Sequence, residues 1–164
     1  MKGTLRVAIL MGVVAVFVSA VAEAAGPFQF YSVTPCRIVD TRSGATGGPA
    51  IANGGGDIVS VPLRSFLITG GTCGLPTTAK AATVNVTMVG PQRGGYLTIW
   101  PFGQTKPIVS TLNANTGEPA IANGAIVPLA DPTTGFSLSV YYGTNVTPGT
   151  VTTNVILDVT GYFQ

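Results

Sequence analysis

Ala82-Thr83-Val84-Asn85-Val86-Thr87-Met88 alternates apolar and polar residues without a break. Successive side chains of a strand point to opposite faces, so Val84, Val86 and Met88 share one face while Thr83, Asn85 and Thr87 share the other. That period of two predicts a half-buried strand. Further strand candidates are Phe28–Val33, Arg37–Arg42, Ile58–Leu63, Ser65–Thr69, Tyr96–Pro101 and Ile108–Leu112. Ala125–Leu129, Phe136–Tyr142 and Thr152–Phe163 complete the set. Gly- and Pro-rich clusters at Ser43–Gly48, Gly70–Pro76, Gly90–Gly95 and Asp131–Gly135 separate them as turns. Past the N-terminal segment no apolar stretch keeps a helical period for three turns. The expectation is therefore an all-β fold, a two-sheet β-sandwich of jelly-roll or Ig-like type.

Part of the chain is repeated. Pro49-Ala50-Ile51-Ala52-Asn53-Gly54 recurs as Pro119-Ala120-Ile121-Ala122-Asn123-Gly124, and each copy is followed by Val-Pro-Leu, at Val61–Leu63 and Val127–Leu129. Two pseudo-repeated halves follow. Two copies are too few for an open solenoid, so the halves are expected to interlock.

The first 24 residues read as a signal peptide. Lys2 and Arg6 precede a charge-free stretch, Val7 to Ala22, and small residues at Ala20, Ala22 and Ala24 supply cleavage sites. That stretch is 16 residues, shorter than the roughly 20 that span a bilayer. Residues 25–164 are then a single β-sandwich domain, secreted to the cell surface or medium and free of the membrane once the signal is removed. This part carries six basic and five acidic side chains. It has no basic run, so the electrostatic footprint of a nucleic-acid binder is missing. Charged residues make up 9% of the chain, against about 25% in ordinary globular proteins. Weak charge repulsion favours lateral association.

Cys36 and Cys73 are the two cysteines. In an oxidising compartment such a pair is expected as a disulfide, worth roughly 3–4 kcal/mol through loop closure. The chain has no His. That removes Cys–His and Ser–His–Asp nucleophiles, and two Cys alone make a poor metal site. No catalytic residue, metal or cofactor is expected.

The densest polar cluster is Pro35-Cys36-Arg37-Ile38-Val39-Asp40-Thr41-Arg42. On a regular strand Arg37 faces away from Asp40 and Arg42. Asp40 and Arg42 then pair, and Arg37 is left for Asp158 on the last strand. The four residues are expected as a structural ion-pair network, with recognition of a carboxylate or glycan as the competing reading. Asp40 and Asp158 are the one carboxylate pair that could meet as a hydrolase needs, but the two arginines would hold both ionised. Asn113–Glu118 resembles a Ca²⁺ loop only faintly, lacks its early carboxylates and is expected as a turn. Tyr96 and Trp100 share a strand face and are the candidates for glycan stacking, weighed against burial in the core.

Phe30-Tyr31-Ser32-Val33-Thr34-Pro35-Cys36-Arg37-Ile38-Val39-Asp40-Thr41-Arg42 resembles the Pro-x-Arg-x-x-Asp-Thr-Arg opening of a domain family in exported actinobacterial and acidobacterial proteins. The resemblance runs through Gly71–Pro76, Val84–Thr87, Gly95–Pro101 and Ser110–Asn113 to the ending Ile156-Leu157-Asp158-Val159-Thr160-Gly161-Tyr162-Phe163. It implies an accessory extracellular β-module and supplies no catalytic residues. The expected function is a secreted, non-catalytic structural or matrix protein that associates with itself, with Ala25–Val33 as a segment able to leave its own sheet. The alternatives are a carbohydrate- or cell-wall-binding module, whose partner is a surface polysaccharide, and, last, an extracellular hydrolase.

Overall fold

The computed structural model describes residues 27–42, 63–147 and 151–164. The expected signal peptide, the first copy of the repeat and nearly all of the Ile58–Leu63 strand candidate lie outside these residues. The described chain forms eight strands: β1 (Phe30–Asp40), β2 (Leu63–Phe66), β3 (Ala81–Val89), β4 (Gly95–Pro101), β5 (Leu112–Ala114), β6 (Ala120–Pro128), β7 (Leu138–Thr144) and β8 (Asn154–Phe163). They make two four-stranded antiparallel sheets, ordered β1-β8-β3-β6 and β2-β7-β4-β5. First therefore pairs with last, β2 with β7, β3 with β6 and β4 with β5. This nested pairing is a jelly roll. It is not the Ig-like order, in which the first strand would lie beside the second.

The predicted alternation holds along β3. Ala82, Val84, Val86 and Met88 are buried, and the residues between them are half-exposed. They meet Val155, Leu157 and Val159 of β8 and the inward residues of the second sheet, Phe66, Leu97, Ile99, Leu112, Leu138, Val140 and Tyr142, in one core. In the first sheet β1 and β3 from the first half of the chain alternate with β8 and β6 from the second. The halves thus interlock as expected.

Three strand assignments change. Phe28–Val33 and Arg37–Arg42 are one strand, β1, kinked by register shifts between Ser32 and Cys36 and between Arg37 and Val39. Pro35, which cannot donate to a ladder, sits in the first shift. Strand β6 starts five residues before the predicted Ala125. Its Ala-Ile-Ala-Asn-Gly start has little β-propensity, and pairing with β3 imposes the conformation. Ile108–Leu112 is strand only at Leu112; Ile108 is fully exposed.

Of the Ala25–Val33 segment, residues 27–33 are described, and part of it pairs within the first sheet. Phe30, Tyr31 and Ser32 pair with Phe163, Tyr162 and Gly161 of β8, and Gln29 exchanges two backbone hydrogen bonds with Gln164. Tyr31 stacks on Tyr162 with ring centres 5.2 Å apart. Phe30 lies over Gly161, where a Cβ would stand 2.4 Å from its ring. Cys36 and Cys73 form the expected disulfide, 37 residues apart in sequence. It ties β1 to the turn between β2 and β3.

Candidate functional site

The ion pairs form as the sequence suggests, with one addition. Arg37 grips Asp158 with Nε at 2.8 Å and Nη2 at 3.1 Å. Arg42 grips Asp40 with Nε at 2.9 Å and Nη2 at 2.6 Å, and its backbone N–H donates to the same carboxylate. The addition is a link between the pairs: Arg37 Nη1 lies 3.4 Å from Asp40. On a regular strand these two would face apart. The bulge after Arg37 inserts an extra residue, buries both Ile38 and Val39, and turns Asp40 to the same side. The result is a ladder, Arg42–Asp40–Arg37–Asp158, running from β1 onto β8.

The Asp40 side chain is only 2% exposed. The Arg42 guanidinium, bonded to it, holds its carboxyl below the usual Asp range, against the opposing effect of burial. Hydrogen bonding to the carboxylates raises both arginines further. Thr41, between them, is fully buried. Its hydroxyl accepts from Val155 N–H at 2.8 Å and donates to Asn154 Oδ1 at 3.1 Å. Asp-Thr-Arg thus fastens β1 to β8. Each guanidinium is already paired, which leaves little for a ligand to claim.

Tyr96 and Trp100 do share a face, the outer one of the second sheet, but they differ in access. Trp100 is 6% exposed and lies outside the inter-sheet core. The chain between β4 and β5 covers it: Trp100 Nε1 donates to Gln104 O at 2.9 Å, and Thr98 Oγ1 donates to Val109 O at 2.7 Å. With its ring covered and its N–H satisfied, Trp100 cannot stack on a sugar in this arrangement. Tyr96 is half-exposed. Its ring lies on Gly143, where a Cβ would stand 2.3 Å from Cζ. Beside it is Tyr141, with ring centres 6.2 Å apart, and Lys106 Nζ sits 4.9 Å from the Tyr141 ring centre. Tyr141 was legible: in Tyr141-Tyr142 one ring must face outward, and Tyr142 takes the core. Nothing in the local sequence placed Lys106 there.

The remaining described acids serve turns. Asp131 Oδ1 accepts from Thr133 N–H at 2.9 Å. Glu118 accepts from Asn115 N–H at 2.8 Å in the β5–β6 turn, the segment that resembled a Ca²⁺ loop. Comparison with protein-family models gave no match, and neither did a search of curated proteins.

Proposed function

We propose that the protein is an exported, non-catalytic structural component of the cell surface or extracellular matrix that associates with copies of itself through β6. The observation that carries this reading is the contrast between the sheet edges. Long edge strands are normally blunted by charges, prolines, bulges or cover. Edge strand β1 has Pro35, two register shifts and a disulfide. In the second sheet the edge β5 is three residues long, and the described part of β2 is four. Strand β6 is nine residues, AIANGAIVP, without a charge and with a proline only at its end. It pairs with β3 in unbroken register, and among the described residues no strand covers its other side. A second copy could add there antiparallel about a two-fold axis, making one sheet of eight strands. Sparse charge lowers the repulsion such contact would meet. The disulfide is compatible with an oxidising, extracellular location.

Light scattering coupled to size exclusion, with electron microscopy of the purified protein, tests this. Concentration-dependent dimers or larger assemblies are expected, and Ala122→Lys, on the outward side of β6, should abolish them while leaving the circular dichroism unchanged. A wild-type monomer at every concentration, or assemblies indifferent to Ala122→Lys, would sink the idea. A second reading, polysaccharide binding, is favoured by one observation: the half-exposed Tyr96 ring beside Tyr141.

A further inference from the structure

Tyr96 separates two depressions on the outer side of the second sheet. One, of about 500 Å³, is lined by Arg93, Thr116 and Asn145 among others. The second, of about 250 Å³, is lined by Lys106, Ile108 and Asn113 among others. Tyr96 contributes to both, so a chain laid across its ring would enter each. The charges are one-sided. Arg93 is in one depression and Lys106 in the other, and no carboxylate lines either. Neither cation is in an ion pair among the described residues.

The site is also built to hold its shape. Tyr142, in the core, donates its hydroxyl proton to Arg93 O at 2.6 Å. On either side of Arg93, Gln92 N–H donates to Thr152 O at 3.0 Å and Gly94 N–H to Thr116 Oγ1 at 2.7 Å. On the other flank, Thr111 N–H donates to Leu97 O at 2.7 Å and fixes the chain that carries Lys106. Gly143 is what lets the Tyr96 ring lie against the backbone. A fixed ring with polar groups on either side costs little entropy to engage.

We propose that this groove binds an acidic polysaccharide, stacking a pyranose ring on Tyr96 and meeting uronate carboxylates with Arg93 and Lys106. The apolar face of a sugar suits an aromatic ring, and a carboxylate gives each cation a charge-assisted partner. The proposal rests on the polysaccharide reading and adds the charge of the ligand. It exchanges Trp100 for Tyr141, Arg93 and Lys106.

The test compares polygalacturonate with its fully methyl-esterified form, which keeps the backbone and removes the charge. Affinity electrophoresis and calorimetry of the secreted protein should show the free acid binding about tenfold or more tightly than the ester. Arg93→Gln combined with Lys106→Gln should erase that difference. Tyr96→Ala should remove binding to both polymers, with folding checked by circular dichroism, and Tyr96→Phe should restore it if packing is the concern. Equal binding of acid and ester, lost in Tyr96→Ala, would overturn the acidic ligand and leave the polysaccharide reading standing. No binding to either polymer, or to alginate as a second uronate, would overturn both. Binding that ignores Tyr96 would overturn the site.

Discussion

Asp40 is buried, yet it is surrounded by hydrogen bonds from Arg42 and approached by Arg37. A charge in that position stabilises the fold only while it stays ionised. Because its pKa in the folded protein lies below the unfolded value of about 3.9, the stabilisation is complete above that pH. It drains away as pH falls through the folded pKa, since protonation then favours the unfolded chain. Asp40→Asn should therefore cost about 2 kcal/mol or more at neutral pH, and should flatten the acid limb of the stability curve below about pH 4. Urea unfolding of both proteins from neutral to strongly acidic pH measures this. A variant as stable as wild type at pH 7 would show that the ladder is ornamental. Both residue pairs were legible from spacing and charge scarcity. The Arg37–Asp40 link was not, because a bulge is one inserted residue whose cause lies in the facing strand. The cover over Trp100 was equally hidden, being made by hydrogen bonds from a loop with no period of its own.

Strand β6 raises a different question, because its central Gly124 has no visible reason to be glycine. Its φ is not in the left-handed region, and a Cβ built on it would meet nothing within 4 Å. Compare Gly161 and Gly143, whose places are filled by the rings of Phe30 and Tyr96. Glycine inside a strand ordinarily costs about 0.5–1 kcal/mol relative to alanine, and it commonly marks the close approach of a ligand or another backbone. Gly124→Thr should then raise the stability of the isolated monomer by up to about 1 kcal/mol while weakening association. Thermal unfolding at low concentration, set beside light scattering at high concentration, separates the two effects. A variant that gains stability and associates as well as wild type would show that the contact does not need a glycine at this position. The strand itself was legible only in its second half, Ala125–Leu129. The first half is strand because the regular alternation of β3 demands a partner, and that requirement is tertiary.

At the scale of the molecule, nearly every contact that matters joins residues far apart in sequence. Among the described strands β1 has one neighbour, β8, which lies at the far end of the sequence. Its first half, Phe30 to Pro35, is mostly exposed and leans on aromatic pairs with Tyr162 and Phe163. Among the described residues β1 is held by β8, by the ion ladder, by Ile38 and Val39 in the core, and by the bond from Cys36 to Cys73, which reaches it through the turn leading to β3. Cutting that bond frees a loop of 37 residues, which by loop entropy lowers stability by about 4 kcal/mol. With a urea dependence of about 2 kcal/mol per molar for a domain of this size, the midpoint should fall by about 2 M. The loss should also be uneven. Strand β3 keeps β6 and β8 on either side, whereas among the described strands β1 pairs with β8 alone, so the reduced protein should open at β1 before it unfolds globally. Hydrogen exchange of the reduced protein, compared with the oxidised one, should show the amides of Cys36–Asp40 losing protection first and those of Val84–Met88 last. If β1 and β3 lost protection together, the disulfide would be stabilising the whole sandwich through the unfolded chain alone, and β1 would be no weaker than the core it borders.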